Sequence, residues 1–191
     1  TYTIRNSGTG KVTIDPSGNI GGRSDQTLVL EGLGDGEITQ SLMSGGASVS
    51  LQKDGPGTWT LSNTANGFSG TTTINDGTLE ITGLLGNGTL SVGNYAKAIV
   101  NNAQLKINST SDQTLAGVIS GTGELIKENT GILTLSGTNT YDGNTTVSGG
   151  KLLVSGALAG TSGTYSADLV NNAQVEVNSA TNQTYAGTLS G

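Results

Sequence analysis

The chain has 191 residues and contains neither cysteine nor histidine. Without cysteine there is no disulfide framework and no thiol chemistry, which excludes a small disulfide-stapled domain. Lack of cysteine also suits a chain that must cross a periplasm unfolded, although many cytosolic proteins share it. Without histidine the commonest general base and the commonest metal ligand are missing. Basic residues are scarce as well: eight Lys and Arg in all, scattered from Arg5 to Lys151, with a net charge of −6. Phosphate binding needs clustered cations, so nucleic acid is not an expected partner. No apolar run approaches the roughly 18 residues of a membrane helix, and no signal peptide is visible. The chain starts in mid-pattern at Thr1-Tyr2-Thr3-Ile4 and stops on Ser190-Gly191, so it reads as a fragment of a longer protein.

What fills the chain instead is small and polar. Gly (32), Thr (29), Ser (20) and Asn (17) supply just over half of all residues, while Leu, Ile, Val and Phe number only 43. So thin an apolar share raises the possibility of disorder, which normally also needs high net charge. Only 12% of residues are charged here, and the apolar ones are ordered in sequence. Trp59 and Leu61 alternate with Thr58 and Thr60, and Leu133 and Leu135 flank Thr134. Ile74 precedes a turn at Asn75-Asp76-Gly77, after which Leu79 and Ile81 flank Glu80. A third pattern is Ala103, Leu105 and Ile107, matched later by Ala173, Val175 and Val177. Each is the period-two signature of a half-buried strand. Helical periodicity is nearly absent, and Gly interrupts every candidate. The outward position of the third pattern is Lys106 in one copy and Glu176 in the other, which implies a site that requires only solvent.

Two segments are nearly the same text. Residues 51–81 (LQKDGPGTWTLSNTANGFSGTTTINDGTLEI) answer residues 125–154 (LIKENTGILTLSGTNTYDGNTTVSGGKLLV) at a spacing of 74, which becomes 73 after one slipped residue. A second pair, 95–121 and 165–191, agrees at 14 of 27 positions and keeps VNNAQ. A fixed long period in a β-rich chain indicates a solenoid. The expected fold is all-β over residues 1–191: one parallel β-helix with about three strands per coil. Coils of about 20 to 25 residues would place three or so in each repeat, and eight or nine at ~4.8 Å would give a rod of roughly 40 Å. Turn pairs such as Asn66-Gly67, Asp76-Gly77, Asn87-Gly88 and Asp142-Gly143 leave an antiparallel sandwich as the alternative.

The duplicated segment carries a recognisable set of residues. These are a Lys (Lys53, Lys127), a Gly before the strand (Gly57, Gly131), a TLS ending (Thr60–Ser62, Thr134–Ser136) and an aromatic-x-Gly box leading into paired threonines (from Phe68, from Tyr141). It resembles the passenger-associated transport repeat of bacterial autotransporters. Pro56, Trp59 and one extra residue before Phe68 set the first copy apart. The resemblance implies a right-handed parallel β-helix exported through an outer-membrane β-barrel translocator and placed at the cell surface or secreted. Relatives of this kind include adhesins, self-associating proteins, toxins, proteases and esterases. The repeat itself resembles a folding and export element.

No catalytic or metal-binding residue, and no cofactor, is expected. A Ser-His-Asp arrangement is impossible and G-x-S-x-G is missing. Acids on neighbouring coils leave a paired-carboxylate polysaccharide site conceivable, with Asp25, Glu31, Asp35, Glu37, Glu124 and Glu128 as candidates. Solvated turn acids are the simpler reading. Calcium is weakly indicated, because no nonapeptide or EF-hand pattern accompanies Asp35-Gly36-Glu37. Asn101-Asn102 and Asn171-Asn172 fit an amide ladder or turn caps between coils. Phe68 with Tyr141, and Tyr95 with Tyr165, recur at single repeat positions and read as structural stacks, and Trp59 reads as core. The expected function is non-enzymatic: a stalk for adhesion or self-association, whose partner is a host-cell surface or another copy of itself. A secreted effector binding a host-cell receptor and a polysaccharide-degrading β-helix are the alternatives.

Overall fold

The computed structural model describes residues 1–15, 25–42, 48–86 and 93–191. Among them there is no helix, and every strand pairing between named strands is parallel. Three faces wrap one apolar interior. Face one stacks Tyr2–Asn6, Gln26–Gly32, Val49–Lys53, Thr72–Ile74, Ile99–Asn101 and Ile119–Ser120. The pair Thr138–Asn139 and Ala157–Leu158 extends it, with the Thr140 amide donating to the Ile119 carbonyl at 2.8 Å. Face two is a nine-stranded sheet: Val12–Ile14, Gly36–Ile38, Thr58–Leu61, Thr78–Ile81, Gln104–Ile107, Glu124–Lys127, Thr145–Val147, Leu169–Asn171 and Leu189–Ser190. Face three holds Asn94–Tyr95, Gln113–Leu115, Ile132–Leu135, Lys151–Val154 and Gln174–Val177. Eight strand spacings along face two give a rod of roughly 38 Å.

The sandwich alternative fails because a hairpin turn would produce antiparallel ladders. Asp76-Gly77 turns the chain from face one to face two, and Asn66 bridges in parallel to Leu85. Asn87-Gly88 lies outside the described residues. Alternation works as expected: Trp59, Leu61, Leu79, Ile81, Leu105, Ile107, Leu133 and Leu135 are buried, with threonines or charged residues between them. Val177 departs from this and is 46% exposed, because its strand is the last of face three and is covered on one side only.

The repeat period does not equal a whole number of coils. Lys53 ends a strand of face one, whereas Lys127 ends a strand of face two. Thr58–Leu61 belongs to face two, and its counterpart Ile132–Leu135 to face three. The second repeat shifts in the same sense: Ile99–Asn101 lies on face one and Leu169–Asn171 on face two. Each repeat therefore advances three coils and one further face.

Candidate functional site

Outward side chains of face two form a ladder in strict register: Thr13, Glu37, Thr60, Glu80, Lys106, Ile126, Thr146, Val170 and Ser190. A shallow trough of about 360 Å³ runs across four of these strands, lined by Lys11, Asp35, Gly36, Thr58, Thr60, Thr78, Glu80, Gln104 and Lys106. Its groups are already engaged with one another. Lys11 pairs with Glu37 at 2.5 Å, and Lys106 bridges Glu80 (3.5 Å) and Glu128 (2.8 Å). Thr60 donates to Glu80 at 3.2 Å, and Thr78 donates to Gln104 at 2.9 Å. The result is a polar strip that presents hydroxyl, amide and charged groups at the strand spacing.

The candidate acids are engaged by separate partners, Glu128 by Lys106 together with Glu80. Asp25 accepts the Ser48 amide at 2.8 Å, and Asp35 accepts the Thr58 amide at 2.8 Å. Glu31 pairs with Arg5 on face one, and Glu124 accepts from Gln104 at 3.4 Å. The hydrogen bond from Lys11 holds Glu37 below the usual carboxylate range, the opposite of what a general acid needs. Among the described residues no group of three or more His, Cys, Asp or Glu could hold a metal ion. The position shared by Lys106 and Glu176 does more than face water. Glu176 pairs with Lys151 at 2.5 Å, so an ion pair recurs there with its polarity reversed.

The interior holds the more distinctive chemistry. Lys53 and Lys127 sit at inward strand ends, and both are buried. The Lys53 ammonium donates to the carbonyls of Asp54 (3.2 Å), Gly55 (2.6 Å) and Asp76 (2.9 Å), the last one coil on. Lys127 repeats this with Glu128 (2.6 Å), Asn129 (2.8 Å) and Gly149 (3.2 Å). Burial lowers the pKa of both lysines.

Asn66 and Asn139, 73 residues apart and both buried, each span three coils. Asn66 accepts the Leu42 amide (3.3 Å) from the coil before and donates to Leu84 (3.2 Å) in the coil after. Asn139 does the same with Ile119 (3.0 Å) and Ala157 (3.1 Å). In the sequence Asn66 reads only as half of an Asn-Gly turn pair, and Asn139 carries no such mark. Their recurrence at the repeat spacing was the signal available. Asn101 caps its turn through the Ala103 amide (3.4 Å) and reaches the Glu124 carbonyl at 2.8 Å; Asn171 makes the same turn contact with Ala173 at 3.3 Å. The cap reading holds, and the two asparagine pairs, which lie on different faces, do not stack as a ladder with each other.

Two aromatic contacts join the repeat types, one at each aromatic-x-Gly box. Phe68 packs on Tyr95 at 5.3 Å between ring centroids, and Tyr141 on Tyr165 at 5.7 Å. Tyr185 continues the second stack at 6.2 Å. Burial raises the phenol pKa of Tyr95, Tyr141 and Tyr185, and pushes Tyr165 up to about 12.

The family model described as passenger-associated-transport-repeat matches residues 51–81 and 125–154. The chain is also similar to "Adhesin BmaC autotransporter" of Brucella suis biovar 1 (strain 1330). The two are 32% identical over 174 residues, covering 76% of this chain and 5% of that protein. The chain thus spans a small part of that relative's length. No solved structure matches it.

Proposed function

We propose that this stretch of autotransporter passenger, identified by its two transport repeats and its adhesin relative, is a non-enzymatic rod within a surface-exposed or secreted adhesive protein. Its task is to line up weak polar contacts along an outward ladder, where many simultaneous contacts raise avidity beyond that of any one. The observation that carries the reading is the face-two strip. It is polar without a break from Thr13 to Lys106, carries both signs of charge and engages its own acids in ion pairs. The adhesive name of the relative supports the same reading. In the full-length protein an outer-membrane β-barrel translocator delivers the rod, and the partner is a host-cell surface. Beads coated with the purified fragment provide the test. Adherence to cells that weakens when Thr60, Glu80 and Lys106 are replaced together by alanine is the expected result. Beads that clump with one another while ignoring cells would replace the host surface with a second copy, and beads that do neither would refute the proposal.

A further inference from the structure

The transport repeat ends at residues 81 and 154 in the family match, but its interior closes further along the chain. Tyr95 donates to the Gly70 carbonyl at 2.7 Å, and Thr72 supplies the other bond to the same phenol oxygen at 2.9 Å. In the second copy Tyr165 donates to the Gly143 carbonyl at 2.7 Å, and Thr145 lies 2.7 Å from the Tyr165 oxygen. Tyr141 adds a further hydroxyl 2.6 Å from Thr145. A hydroxyl carries one proton, so the donors can be assigned. With each tyrosine committed to glycine, Thr72 must donate to Tyr95. Likewise the relay runs from Tyr141 to Thr145, then to Tyr165, and ends on the Gly143 carbonyl. Phe68 lacks a hydroxyl, so the first relay is one link shorter.

The arrangement follows from coil length. Phe68 and Tyr95 are 27 residues apart, and so are the paired residues Thr72 and Ile99. Tyr141 and Tyr165 are 24 apart, as are Thr145 and Leu169. Each tyrosine thus occupies, one coil on, the place its aromatic partner holds below. The box glycine serves both neighbours. A Cβ on Gly143 would run into the Gly123 carbonyl in the coil beneath, while its own carbonyl receives the phenol from the coil above.

The structure assigns Tyr95 and Tyr165 as the closing residues of the two transport repeats, so that the aromatic-x-Gly box is a receptor for a tyrosine hydroxyl delivered by the next coil. The folding units therefore run from 51 to 95 and from 125 to 165, and the two repeat types form one composite module.

Hydrogen exchange on the intact fragment tests this. Tyr95→Phe should speed amide exchange at 70–74 at least tenfold while leaving 143–147 unchanged, and Tyr165→Phe should do the reverse. Thr72→Val leaves the phenol-to-glycine bond in place, so it should lose less protection than Tyr95→Phe; Thr72→Ser should restore it, and the Thr72→Val/Tyr95→Phe pair should lose little beyond Tyr95→Phe alone. Unchanged exchange at 70–74, equal loss in both boxes, or additive losses would overturn the assignment. Should Tyr95→Phe prevent folding, the contrast between Thr72→Ser and Thr72→Val decides: equal behaviour of the two overturns it.

Discussion

Lysine is among the side chains least often buried without a partner, yet Lys53 and Lys127 give their ammonium groups only backbone oxygens. The three carbonyls replace water, and one of them belongs to the following coil, so the charge ties two turns together. Lys53→Met keeps the aliphatic stem and leaves those acceptors unanswered. The expected loss is on the order of 3 kcal/mol, read as a lower urea midpoint with little change in slope. Lys127→Met should behave alike. The motif made these lysines visible in the sequence, but nothing there gave their role, because a charged letter ordinarily marks solvent. Their pKa is lowered on folding, so stability gains as pH climbs toward the unfolded value near 10.4 and the gain is complete there. The tyrosines act in the opposite sense. Folding favours the neutral phenol of Tyr165, whose pKa rises from 10.0 to about 12. Its contribution is fully present below pH ~10 and is lost as pH rises toward ~12. A plot of denaturation midpoint against pH should fall across that window, and Tyr165→Phe should flatten the fall.

Strands meet across coils whose length varies, and this limits what could be read from the letters alone. Alternation placed Trp59 inside, as found, but its neighbour one coil back is Gly36, 23 residues earlier. Other steps on face two are 20, 24 or 26 residues. A coil of unknown length hides which residue lies beneath which, so inward faces were legible and cross-coil partners were not. The pair makes sense once aligned: the indole fills the space that a side chain at Gly36 would occupy, and a Cβ there would overlap the ring. The second copy has Leu133 over Gln113 instead, with no glycine beneath. Gly36→Ala should therefore cost roughly 2 to 3 kcal/mol through overpacking. Adding Trp59→Leu should return part of that loss, a coupling that a double-mutant cycle in urea would measure. Independent, additive penalties would contradict direct contact between the two positions.

At the scale of the whole rod, the extra face in each repeat decides how a repeated surface is displayed. Had the period been three whole coils, equivalent residues would share one face, and a repeat-borne contact would form a straight stripe. With a third of a turn added, equivalent positions move round the rod, and three modules are needed to return to the same side. The straight ladder on face two is accordingly built from non-equivalent residues, Thr60, Glu80, Lys106 and Ile126. Because the chain has no cysteine, paired spin labels can be placed without background. Thr60 and Thr146 lie four strand steps apart on one ladder, a separation of ~19 Å. Thr60 and Thr134 are repeat equivalents on faces two and three. Whole-coil repetition would set them only three steps apart, ~14 Å, which is shorter than the control. The rotated arrangement sends the two labels outward from different faces, so their distance should exceed the control. The order of these two distances, measured by double electron–electron resonance, separates a rod that repeats its surface along one side from one that carries it around.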